Sequence, residues 1–264
     1  MKESLKKILN LFKKEELYIL PASLTYYFVL ALIPILTLVV LIAGSFNLSI
    51  DNVTSLLDDV LPNKISLFVT DIISGKGFDS NIGIFNIIAF IVASNGSYAI
   101  VRTANNLYKI KNSDTVKDRI KSIIILFDIL MLMIFMIFVP VFGEKILMLF
   151  QKNTNLAEEV IVFIKIIKWP ITFIVLFINI KLIYTISPSK NIKSKDTTLG
   201  SLVTTFLWIL STIILGYYID YFTNYDILYG NLSGIIALMI WLYVISFVFV
   251  LGMVINTMYY KSDV

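Results

Sequence analysis

Apolar residues gather into six stretches of this chain, at residues 22–46, 82–101, 122–142, 162–186, 198–219 and 231–258. A helix needs about 20 mostly apolar residues, each rising about 1.5 Å, to cross a hydrocarbon core of about 30 Å. Every stretch meets or nearly meets that length, so the pattern predicts an all-α fold built as a six-transmembrane-helix bundle. The polar connections between the stretches are shorter than the roughly 50 residues a soluble domain requires. Residues 1–264 are therefore expected to form a single integral membrane domain.

Two segments outside the stretches keep a helical period. Leu5, Ile8, Leu9 and Phe12 recur on one face with lysines opposite, so residues 1–21 are expected to form an N-terminal amphipathic interfacial helix on the cytoplasmic side. Residues 47–81 carry Val53, Leu56, Leu57, Val60 and Leu61 up to Pro62, then Ile65, Phe68, Val69, Ile72 and Ile73. That pattern predicts an outer helical hairpin between the first two spans.

Composition strengthens the membrane reading. With 58% hydrophobic residues and a mean hydropathy of +0.87, a soluble domain would lack polar surface. The 264 residues include no cysteine and no histidine. Disulfides, conventional haem or iron–sulfur ligation and His/Cys zinc sites are thereby excluded, and the commonest general base near neutral pH is missing. The sequence points away from enzymatic chemistry, and no metal or other cofactor is expected.

Charge sets an orientation. Alternating the loops between two sides places 15 of the 22 Lys and Arg residues on the side of residues 1–21, 102–121, 187–197 and the tail after 258. The opposite loops hold only Lys64, Lys76, Lys145 and Lys152, beside acidic residues such as Asp58, Asp59, Glu158 and Glu159. Basic loops stay inside, so both termini are expected in the cytoplasm of a cell whose cytoplasmic membrane the chain crosses several times. The net charge of +4 is then a lipid-facing feature, with membrane lipids as partners and no nucleic acid.

A few polar residues interrupt the spans. Asp128 sits at helical spacing among Ile124, Ile125, Met131, Leu132 and Phe135, and Lys181 lies at similar depth in the next, antiparallel span. A charge in such surroundings is costly and marks a structural pair or a substrate or proton site. An Asp128–Lys181 pair is expected, or else a Lys181 that reaches for the interface beside a hydrated Asp128. The second span carries Asn86 and Asn95 among Gly83, Ala93, Gly96 and Ala99, which suits a central, closely packed helix. Asn86, Asn95, Asp128 and Lys181 are the candidate intramembrane polar site. Lys165 and Lys168, three residues apart before Pro170, share a face that suits an anionic headgroup, in an outer helix ending at Trp169 before a proline bend. Gly216, Gly252 and the Gly230/Gly234 pair suggest close helix packing and self-association as a homo-oligomer.

The segment Ala22-Ser-Leu-Thr-Tyr-Tyr-Phe-Val-Leu-Ala-Leu-Ile-Pro34, the stretch Gly83 to Tyr108 ending Asn105-Asn-Leu-Tyr, and Tyr225-Asp-Ile-Leu-Tyr-Gly230 followed by Trp241-Leu-Tyr and Gly252 to Asn256 resemble the YihY/BrkB family. The resemblance covers nearly the whole chain. It implies a six-helix inner-membrane protein; members have carried the labels ribonuclease BN and virulence factor BrkB, and some are linked to export of lipid or envelope components. A metal-dependent nuclease needs clustered carboxylates or histidines at the water interface, whereas the basic side here offers mainly Lys and Arg, with scattered acids such as Asp114, Asp118 and Asp196. Two expectations follow. One is a transporter or exporter of lipid or envelope-related compounds with a polar path touching Asn86, Asn95, Asp128 and Lys181. The other is a non-transporting membrane scaffold or assembly factor, a dry bundle in which those groups are paired.

Overall fold

The structure, a computed structural model, describes residues 16–45, 63–74, 83–151, 157–222 and 229–260. Among them there are helices and no strands. The α-helices are α1 (Glu16–Ser45), α2 (Asn63–Ser74), α3 (Gly83–Leu107), α4 (Thr115–Gln151), α5 (Ala157–Ile186), α6 (Thr198–Phe222) and α7 (Ser233–Tyr259). A short 3-10 turn, Gly230–Leu232, leads into α7.

The six apolar stretches reappear as the six long helices, extended at their ends by polar residues that hydropathy alone leaves out. Around the bundle α1 packs on α3, α3 on α4, α4 on α5, α5 on α6, α6 on α7, and α7 back on α1. Chain order is thus also spatial order, except that the short α2 stands outside the ring and packs on α7, α1 and α6. Among the described residues two helices are long and apolar enough to cross a membrane, Thr198–Ile219 and Ser233–Met258; Leu17–Leu32 and Pro170–Ile186 are shorter apolar stretches.

Two apolar layers fill the ring. Leu36, Leu126, Leu130, Ile219 and Leu238 form one with Ile65 of α2. Leu24, Ile100, Ile125, Ile180, Phe249 and Met253 form the other. Both layers draw on α7, whose two halves serve them in turn. Ile87, Ile124, Phe127, Ile178 and Ile214 are exposed instead, as the outer faces of helices surrounded by lipid would be.

Helix ends follow local chemistry. Asp114 caps α4, its Oδ1 accepting from the amides of Val116 at 3.0 Å and Lys117 at 3.4 Å. At the end of α3 the amide of Lys109 donates to Asn106 and that of Ile110 to Asn105. This is the six-to-one and five-to-two closure that favours glycine at the left-handed position, here taken by Lys109 with φ 55. Several hydroxyls inside the helices bond back one turn, as Thr25 does to Pro21 and Thr205 to Ser201, which pairs their donors, whereas those of Ser97 and Ser246 are buried without a partner.

Several expectations need adjustment. Residues 1–15 of the amphipathic N-terminal segment lie outside the described residues, and its last residues form the first turns of α1, with Leu17 fully buried. Of the outer segment 47–81, α2 is described as a single arm; the other arm falls outside. No separate helix ends at Trp169, because α5 runs through Pro170 without a break. Gly230 has φ +51 and open space where a Cβ would stand, so within the chain it makes a turn and packs against no neighbouring helix.

Candidate functional site

The polar residues of the bundle collect where α3, α4 and α5 meet the loops 108–114 and 187–197. Asn105 of α3 meets Asp118 of α4, and Phe90 meets Phe127 with ring centres 6.0 Å apart, so the two helices run antiparallel. In that register Arg119 starts opposite the last turn of α3. Its guanidinium nevertheless reaches Asn95, Nη2 donating to Oδ1 at 2.8 Å, about two turns deeper along α3. On the way it passes over the Tyr98 ring, 5.2 Å from the centroid, and Arg102 approaches the same ring to 5.8 Å. Asn95, Tyr98 and Arg102, spaced three and four residues apart, share one face of α3.

Asp128 lies deeper on α4. Its backbone carbonyl accepts from the Asn179 amide of α5 at 3.3 Å, whereas its carboxylate Oδ2 is buried and has no hydrogen-bond partner in the protein. The expected Asp128–Lys181 pair is not formed. Successive helix residues turn by about 100°, so with Asn179 facing α4, Lys181 points to nearly the opposite side of α5. Its ammonium rests 5.8 Å from the centre of the Phe177 ring, one turn back. Of the other sequence candidates, Asn86 belongs to α3 and Lys165 and Lys168 to α5, but their side chains lie outside the described residues.

Closer to the loops stands a network that sequence reading missed. Asp118 is 2% exposed. Its carboxylate accepts from Asn105 Nδ2 at 3.1 Å and from the hydroxyl of Ser189. Asn105 in turn accepts the amide of Ser189 at 2.7 Å and donates to its hydroxyl at 2.9 Å, and Lys121 donates Nζ to the carbonyl of Pro188. One carboxylate thus fastens the α5–α6 loop to α3 and α4. Burial pulls the Lys121 ammonium below its usual range, with Asp118 opposing the shift. Tyr108 stacks edge-on against Tyr260 at 5.6 Å and leaves its hydroxyl unpaired. Burial first, then the charge of Asp196 and the neighbouring Tyr260, push it up to about 12.

At the same end α5, α6 and α7 close on one another almost without side chains. A Cβ on Gly200 would overlap the Gly252 carbonyl and the Asn256 amide, and one on Gly252 would overlap the Thr204 and Tyr184 hydroxyls. The Gly200 amide donates to Asn256 Oδ1 at 2.8 Å, and the Tyr184 hydroxyl meets Thr204 at 2.7 Å and donates to the Phe249 carbonyl at 2.7 Å. The sequence marks Gly252 as a close-packing residue; its partner Gly200 carried no spacing signal.

A ring of long helices, each built around an apolar run with polar residues at its ends and at a few interior positions, defines a helical membrane protein. The sequence profile of the Virulence factor BrkB family matches residues 8–263, and the chain belongs to that family. It is 30% identical over 244 residues to the ribonuclease-like protein YfkH of Bacillus subtilis, covering 91% of this chain and 89% of that one. A UPF0761 membrane protein of Coxiella burnetii is 33% identical over 84 residues, 32% of this chain and 30% of its own. A UPF0761 membrane protein of Haemophilus influenzae is 22% identical over 250 residues, 91% of this chain and 89% of its own. No solved structure matches the chain.

Proposed function

We propose that the protein crosses the cytoplasmic membrane six times with both termini inside and moves amphiphilic lipid or envelope-related compounds along a polar path between α3, α4 and α5. The observation that carries this reading is Asp128, a carboxylate in an apolar helix whose Oδ2 meets no donor and whose nearest expected counter-ion, Lys181, is turned away. A carboxylate held so is costly and is retained where it serves a path for protons or substrate. Six long helices in a closed ring support the six-span topology, and the one-sided distribution of Lys and Arg supports its orientation. The protein acts without enzymatic chemistry in this reading: Asp118 is fully engaged by Asn105 and Ser189, which leaves it poorly placed to ligate a catalytic metal.

The test is movement of fluorescent phospholipid across proteoliposomes holding the wild type or Asp128→Asn. Flux well above empty liposomes that falls at least about tenfold in the variant, with unchanged melting, is expected. Wild-type flux equal to that of empty liposomes would refute transport. A second reading, a membrane scaffold or assembly factor, is favoured by the backbone-to-backbone closure at Gly200 and Gly252. It gains if the flux is absent while Gly252→Leu abolishes a phenotype that Asp128→Asn still complements.

A further inference from the structure

The structure assigns an anionic phospholipid headgroup to the Arg102–Tyr98–Arg119 cluster, with the acyl chains lying along the exposed apolar faces of α3 and α4. Both guanidiniums approach one tyrosine ring, to 5.8 and 5.2 Å of its centroid. Two like charges drawn to one ring repel each other, and among the described residues no carboxylate is bound to either. Arg102 is exposed and, among the described residues, its guanidinium is held only over the ring, while Arg119 commits Nη2 to Asn95. The remaining guanidinium donors form planar forks suited to phosphate oxygens. Tyr98 adds a hydroxyl beside them.

The surroundings select a lipid over a soluble anion. Ile87 and Ile91 lie on α3 away from the loop, and Ile120, Ile124 and Phe127 lie on α4; all five are at least 46% exposed. Ile91, Tyr98 and Arg102 share a helix face, so apolar surface continues from the cluster toward the middle of the bundle. A ligand matching both parts has an anionic head and hydrocarbon tails. Arg119 fits this role in another way. An arginine near the end of a span ordinarily reaches for water, yet this one turns inward to Asn95, which holds its guanidinium over Tyr98 on the bundle side of the loop. The inference rests on reading α3 and α4 as membrane-crossing helices and does not require transport.

Native mass spectrometry of the full-length protein with equimolar phosphatidylglycerol and phosphatidylcholine tests it. The wild type should retain phosphatidylglycerol preferentially. Arg102→Gln should lower that preference about tenfold, the loss of one charge-assisted contact, with an unchanged lipid-free melting temperature. Arg102→Gln with Arg119→Gln should abolish it; if that double variant fails to fold, Arg102→Gln alone decides. Equal retention of both lipids by the wild type would overturn the assignment, as would undiminished preference in Arg102→Gln. Displacement of the lipid by millimolar inorganic phosphate would overturn it in favour of a soluble anion. Lipid selectivity without flux leaves this site standing and removes only the transport reading, whereas flux without selectivity does the reverse.

Discussion

Lys109 and Tyr108 sit side by side in the turn that ends α3, and each is an odd choice for its position. Lys109 occupies a left-handed conformation, φ 55, which costs an L-residue roughly 1–2 kcal/mol and glycine almost nothing. Lys109→Gly should therefore stabilise the protein by about 0.5–1 kcal/mol, since glycine also raises the entropy of the unfolded chain; thermal denaturation in detergent reads the gain. Tyr108 gives a pH-dependent counterpart. Its phenol ionises near 10 when unfolded and near 12 when folded. Between those values the unfolded chain has lost a proton that the folded one keeps, so stability is fully present below pH 10 and falls as pH rises toward 12. Tyr108→Phe removes this contribution. Melting curves from pH 9 to 11.5 should show the wild type losing stability faster than the variant, and parallel curves would contradict the assignment.

At the scale of elements, the Asp118 network decides how the two loops of this end are held. Asp118→Ala leaves the Asn105 amide and Ser189 hydroxyl without their carboxylate, which should cost about 1–3 kcal/mol. Because all three residues belong to one network, Ser189→Ala on top of it should add much less than it costs alone. Additive losses in such a cycle would mean that the loop is held independently. This network also shows where sequence reading stops. The six long helices were legible because each is built around a long apolar run, and Gly252 was legible as a packing residue. Asp118 looked like one scattered acid, since its partner Ser189 stands 71 residues away and only the antiparallel docking of α3, α4 and the next loop joins them. Lys181 was read by its depth, which sequence gives, but the face it occupies depends on which side of α5 meets α4. Arg119 failed for a similar reason: its position near a helix end is visible in the sequence, its inward rotamer is not. The first turns of α1 and α5 were read as helical but assigned to separate helices, and the polar end of α3 and start of α4 were read as loop, because hydropathy does not show where polar turns join a span.

At the scale of the whole molecule, the closed ring, the charge asymmetry and the exposed apolar faces make one topological claim. Ser113 and Ser194 lie in the two loops that the network fastens together, so a single orientation must hold for both. Cysteines introduced singly there should be shielded from a membrane-impermeant maleimide in intact cells and should label after lysis. Cysteines at positions 80, 153 and 223, replacing Ser80, Asn153 and Thr223, should label from outside. The chain has no cysteine of its own, so each signal belongs to the introduced residue. Labelling of Ser113→Cys and Ser194→Cys from outside would invert the orientation. Labelling of one but not the other would break the network's implication that both loops share a face, and with it the six-span count. The same experiment bears on the lipid site, because Arg102 and Arg119 flank the loop that carries Ser113. If that loop is inside, the headgroup they hold belongs to the cytoplasmic leaflet, where anionic lipids give the surface its negative potential.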